Sequence, residues 1–181
     1  MPEIVTTPSL FFMSKSPFPA REIGTIGILW AVSPGVGAMG TFEVFDHTAD
    51  IGLEVRGRDL ADLLETAARA TFEQMLEDLP DEVEAIEQVR AVPMEGFEDD
   101  AGELLVVWLQ ELLYRFETGK LAPLTYDLEV CGPREVRASV GFGRFDPDRH
   151  RTRTEIKAVT YHGFKVEEDD GGWKAEVLFD V

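Results

Sequence analysis

Two stretches of this chain repeat apolar residues every three or four positions, and that spacing dictates helices. The stronger runs through Leu104, Leu105, Trp108, Leu109, Leu112, Leu113 and Phe116. It gives a helix one continuous apolar face, opened by Asp99 or Asp100 and closed by Gly119. Trp108 falls on that face and reads as core. The other stretch comprises Leu60, Leu63, Leu64, Ala67, Ala68, Thr71, Phe72 and Met75. Asp59 suits its N-cap, Asp62 adds an acid to its first turn, and Pro80 ends the unit.

The remaining segments favour strands. Residues 42–45 and 51–56 form a candidate pair, and in the latter Ile51, Leu53 and Val55 alternate with Gly52, Glu54 and Arg56. Residues 83–94 are charged and weakly alternating, a strand in part. Later candidates cover 125–130, 135–142, 156–161 and 173–179, with a short one at 164–167. Gly132-Pro133 and Asp170-Gly171-Gly172 read as turns. Two helices among many strands, with the strands clustered late, predict an α+β fold. Both helices should cover a largely antiparallel or mixed sheet.

The 181 residues leave room for one well-packed domain, with a tail. Residues 1–38 read differently from the rest. Their only charges are Glu3, Lys15, Arg21 and Glu22, which cancel, so the formal net charge of -18 falls on residues 39–181. The apolar run 23–32 is interrupted by Gly24 and Gly27 and is too short to span a bilayer. Lys15 and Arg21 ahead of it, with Val36 and Ala38 at its end, permit a signal-peptide reading with an unusually long n-region. The favoured reading is a start called too early, because strand-like sequence begins directly after Met39-Gly40. Residues 1–38 are therefore set aside as disordered or mis-called, and 39–181 are taken as a single domain.

An acidic surface of this kind repels bare RNA or DNA. It suits a cation site or a basic protein partner, although solubility alone also accounts for it. The single cysteine, Cys131, excludes an internal disulfide and a thiolate metal cluster. It is compatible with a reducing compartment and reads as a small apolar residue closing a strand.

Chemistry-bearing residues concentrate at two places. Asp46-His47-Thr48-Ala49-Asp50 packs two carboxylates and an imidazole between short apolar runs, and the chain ends in Asp180-Val181. If the fold brings these together, oxygen donors converge where a hard divalent cation would bind. A turn can also use Asp and Thr to bond its own backbone, and a lone His often makes a structural hydrogen bond. In the last strand Trp173, Ala175, Val177, Phe179 and Val181 lie on one side. Lys174, Glu176, Leu178 and Asp180 lie on the other, a pattern that anchors the chain end.

A third stretch is Glu155-Ile156-Lys157-Ala158-Val159-Thr160-Tyr161-His162. Strand alternation sets Ile156, Ala158 and Thr160 against Lys157, Val159 and Tyr161. Lys157 is then a cation in an otherwise apolar strand, either paired with a nearby acid or set beside the carboxylates. His150 and His162 lack local zinc-pair spacing. No Gly-rich phosphate loop, nucleophile elbow or nucleophile–base pair is present, which argues against a self-sufficient enzyme.

These segments together resemble archease. The resemblance rests on Asp46-His47-Thr48-Ala49-Asp50-Ile51-Gly52, on Trp108-Leu109-Gln110-Glu111-Leu112-Leu113-Tyr114, on the 155–162 stretch, and on Trp173 through Asp180-Val181. They run in family order over nearly all of 39–181 and leave 1–38 unmatched. The resemblance implies a small cytoplasmic α+β protein that is an activator rather than an enzyme. Its partner would be the RNA ligase RtcB, which acts in tRNA splicing and RNA repair. It would promote the ligase's guanylylation and multiple turnover, touching RNA only through that partner. It further implies a divalent metal, usually calcium, with magnesium or manganese as alternatives, on Asp50, Asp180 and Val181. Lys157 matches the family's functionally important lysine. Val181 stands where isoleucine is commoner, and Asp46 where glutamate is common. An alternative role is a chaperone-like modulator of a tRNA-modifying enzyme such as a tRNA methyltransferase. A stand-alone metal-dependent hydrolase is disfavoured by a single acid cluster without a base.

Overall fold

The computed structural model describes residues 40–47, 50–93, 100–132, 134–160, 165–169 and 171–181, with backbone alone at positions 46, 47, 50, 100 and 169. The expectation for residues 1–38 lies outside them. Helix α1, Leu60–Met75, starts where the sequence placed it: the Asp59 carboxylate accepts the Asp62 N–H at 2.8 Å. It ends at Leu76, whose extended backbone still donates to the Phe72 carbonyl at 2.9 Å. Helix α2 spans Asp100–Gly119. Trp108 is fully buried, and its indole N–H donates to the Leu64 carbonyl of α1 at 3.0 Å. That bond satisfies the one polar group a buried tryptophan carries and ties the helices together. Phe116 of α2 stacks edge-on against Phe72 and Phe145, with centroids 5.7 and 5.4 Å apart.

The strands form two sheets rather than the single sheet expected, and every strand pair in both is antiparallel. In one, β1 (Thr41–His47) pairs with β2 (Asp50–Gly57), and β2 pairs with β8 (Gly172–Asp180). The far edge of β8 is shared by β7 (Lys165–Asp169) and the two-residue β6 (Ala158–Val159). The other sheet has order β3-β5-β4, from Ala85–Ala91, Val136–Arg144 and Leu121–Val130. Both helices touch strands of both sheets, so one core serves all layers. Leu53, Val55, Ala175, Val177 and Phe179 face it from the first sheet; Val89, Val136, Ala138, Val140 and Phe142 face it from the other.

Several boundaries differ from expectation for physical reasons. β4 begins at Leu121, ahead of the expected 125, because its Pro123 sits on an edge strand beside a register shift between Pro123 and Thr125. The expected strand 156–161 shrinks to β6. Ile156 and Val159 are buried while Lys157 and Ala158 are exposed, a spacing of three that a strand cannot make. Lys157 therefore precedes the strand instead of lying inside it. Cys131 follows β4 and is exposed rather than packed. The β7–β8 turn closes at Gly172, whose φ of +126° and 2.3 Å approach to the Gly57 carbonyl oxygen (measured to an added Cβ) exclude a side chain.

Candidate metal centre

The tip of the first sheet gathers the segments that the sequence singles out as candidates. β1 and β2 pair through His47↔Asp50, so a two-residue connection joins them. Thr48 and Ala49 lie outside the described residues. Asp50 then pairs with Asp180 across the β2–β8 ladder, and Asp180 pairs with Ala158 of β6. Opposed positions in such a ladder lie about 4.5–5.5 Å apart, Cα to Cα. Positions 50, 180 and 158 thus form one row across three strands, and Val181 continues from its centre.

Lys157 fastens this row. Its backbone N–H donates to the Asp180 carbonyl at 2.9 Å, and its ammonium donates to the main-chain oxygen of Val181 at 3.0 Å. One residue thereby holds the last two by separate bonds. Thr160 extends the attachment through its N–H to the Leu178 carbonyl at 2.9 Å. Lys157, Ala158 and Asp180 are exposed and Val181 is half-buried, so this side of the row is open to solvent.

The face behind the tip is charged but internally balanced. The Lys174 ammonium bridges Glu54 at 2.9 Å and Glu176 at 3.3 Å, and Arg56 reaches Glu54 at 2.9 Å. The hydrogen bond from Lys174 holds the Glu54 carboxyl below its usual range against the opposing effect of burial, and Arg56 adds to it. Nearer the tip, Phe45 lies over Gly52: an added Cβ would meet its ring at 2.2 Å. Sequence alternation pointed to Glu54 and Lys174 on one side of their strands, but neither this bridge nor the Phe45–Gly52 contact was visible in it.

The donors at the tip are oxygens, the type a hard divalent cation takes. Among the described residues no three His, Cys, Asp or Glu side chains cluster as a metal group. The candidate set instead rests on the opposed backbone positions 50 and 180, both aspartate in the sequence, beside a main-chain oxygen of Val181 that already accepts from Lys157. Like charges at directly opposed ladder positions are destabilising, a cost that a positive charge nearby would offset. No helix among the described residues is long and apolar enough to cross a membrane.

Comparison with known proteins gives a consistent result. Residues 42–181 match the family described as "Archease protein family (MTH1598/TM1083)". The chain is 37% identical over 143 residues to "Protein archease" of Methanopyrus kandleri, covering 77% of this chain and 99% of that protein. It is 32% identical over 144 residues to the Sulfolobus acidocaldarius protein of the same name, covering 79% of this chain and 100% of that one. Among solved structures it is similar to the solution structure of Methanobacterium thermoautotrophicum protein 1598. That match has a TM-score of 0.61 and 30% identity, covering 77% of this chain and 98% of that one.

Proposed function

The chain belongs to the archease family, and on that premise we propose that it is a cytoplasmic accessory protein that activates an RtcB-type RNA ligase. It promotes guanylylation and repeated turnover of the ligase and performs no chemistry of its own. The observation that carries this reading is the row at the sheet tip: Asp50 opposite Asp180, with Lys157 bonded to Asp180 and Val181. Asp50, Asp180 and the main-chain oxygen of Val181 would hold a divalent ion, calcium in preference to magnesium or manganese. Such an ion supplies a compact positive charge at an exposed acidic tip. The flexible-ligand oxygen set suits calcium, because magnesium demands stricter octahedral geometry.

The protein's own residues account for the rest. Lys157 pins the chain end, so Asp180 cannot fray away from Asp50. Exposure of the tip lets it enter a concave site on a partner. The excess acid of residues 39–181 draws it to a basic partner and away from bare RNA.

Asp50→Ala and Asp180→Ala should each keep the wild-type circular dichroism spectrum and melting behaviour. Each should abolish stimulation of ligase guanylylation in a multiple-turnover assay. Calcium should raise the melting temperature of the wild type and leave that of both variants unchanged. Full stimulation by both variants would sink the proposal.

A further inference from the structure

A groove of about 310 Å³ lies where the ends of α1 and α2 meet the segment that follows β5. Its floor is apolar and formed by Met75, Leu113, Phe116 and Ile156, each less than a tenth exposed. Four charged side chains, Glu117, Lys120, Glu155 and Lys157, stand on its rim. Formally they cancel, but their occupancy differs. The Lys157 ammonium is spent on Val181 at 3.0 Å, and the Lys120 ammonium sits over the Phe116 ring, 5.4 Å from its centroid. The Glu117 and Glu155 carboxylates make no hydrogen bond or ion pair among the described residues. The groove also receives the C-terminal end of α2, the negative pole of the helix, with Lys120 the first residue beyond it.

A cavity with an apolar floor, two uncommitted carboxylates and a negative helix end selects a cation carried on an apolar stem. We propose that this groove binds an arginine-bearing segment of a partner protein. The arginine methylenes lie on the floor at Met75 and Ile156, beside the Phe116 ring that Lys120 covers, and the guanidinium reaches Glu117 and Glu155. Arginine fits better than lysine, because its planar fork can bond two carboxylates while its stem stays on apolar surface. The net charge of -18 favours the approach of such a segment. The inference needs neither Asp50 nor Asp180 and goes beyond the metal reading.

The test is a ¹⁵N NMR titration of the full chain with N-acetyl-leucyl-arginine amide. N-acetyl-leucyl-glutamate amide and inorganic phosphate serve as comparison probes. The arginine probe should give saturable shifts at the amides of Glu117, Thr152 and Thr154, weakening as sodium chloride is added. The double variant Glu117→Gln/Glu155→Gln should fold as the wild type does, since both positions are exposed, and bind the probe about tenfold more weakly. Unchanged affinity in the double variant overturns the proposal. So does the absence of saturable shifts, or tighter binding of the glutamate probe or of phosphate.

Discussion

Asp62 shows how much one buried side chain organises. Its carboxylate accepts from the Gly40 N–H at 3.3 Å, the Arg58 N–H at 2.9 Å and the Arg58 guanidinium at 2.8 Å. Burial by itself would raise its pKa, but the Arg58 bonds, with Gly40, more than offset that and hold the carboxyl below its usual value. A carboxyl depressed in the fold contributes stability above its unfolded pKa of 3.8 and loses it as pH falls through the folded value. Asp62→Ala should therefore cost about 2 kcal/mol near neutral pH, because it orphans donors at a buried junction. Urea denaturation checks this, and the variant's deficit should shrink below about pH 3. In the sequence Asp62 was legible only as an acid suited to a helix start. Its grip on Gly40, 22 residues earlier, depends on where β1 enters the sheet, which no local pattern encodes.

At the scale of elements, legibility followed the length and locality of each signal. The two helices were readable because their apolar faces repeat over many turns. β2 and β8 were readable from strict alternation, which also placed Asp180 on the side opposite Val177 and Phe179. β6 was not, because it is held by two residues against β8 and by the bonds of Lys157, not by any alternation of its own. The division into two sheets was also hidden, since partner choice is a property of whole layers. The meeting of Asp50 with Asp180 belongs to the same class: it follows from the β2–β8 register. The sequence could name both residues but not their distance. The end of α2 is a further case. Gly119 reads as the helix stop, yet it stays helical, and the left-handed position falls on Lys120 at φ 54°, whose N–H donates to the Phe116 carbonyl. A side chain at such a position costs about 1–2 kcal/mol. Lys120→Gly should therefore stabilise the protein by about 1 kcal/mol in urea denaturation, despite losing the contact with the Phe116 ring. A destabilised variant would show that the ring contact outweighs the backbone strain.

For the whole molecule, charge decides how stability varies with solution conditions. Thirty-five acids against 17 bases leave a strongly self-repelling chain at neutral pH. Two of the acids, Glu65 and Glu73 on α1, are held partly out of water. Burial pushes both carboxyls up, while Arg69 between them offsets only part of it. The hydroxyl of the half-buried Tyr126, pushed up by loss of solvent and by the same Glu65, stays protonated and takes no part in the titration. A carboxyl raised in the fold stabilises most when protonated. Its contribution is full below the unfolded value of 4.5 and is lost as pH rises through the folded value. Lowering the pH from neutrality should thus increase stability at first, as these two groups and the general repulsion both relax. Below about pH 4 the trend must reverse, because Asp62, Asp78 and Glu135, held low by their arginines, lose their bonds in turn. Urea midpoints from about pH 3 to 8 should therefore peak on the acid side of neutrality. Added salt should raise the midpoint at about pH 7 more than at about pH 5, since screening acts on charge that protonation has not yet removed. Glu65→Gln/Glu73→Gln should be more stable than the wild type at neutral pH and should rise less on acidification. A steady decline in stability from about pH 7 to 4 would contradict this, and would mean that the ion pairs outweigh both burial and net repulsion.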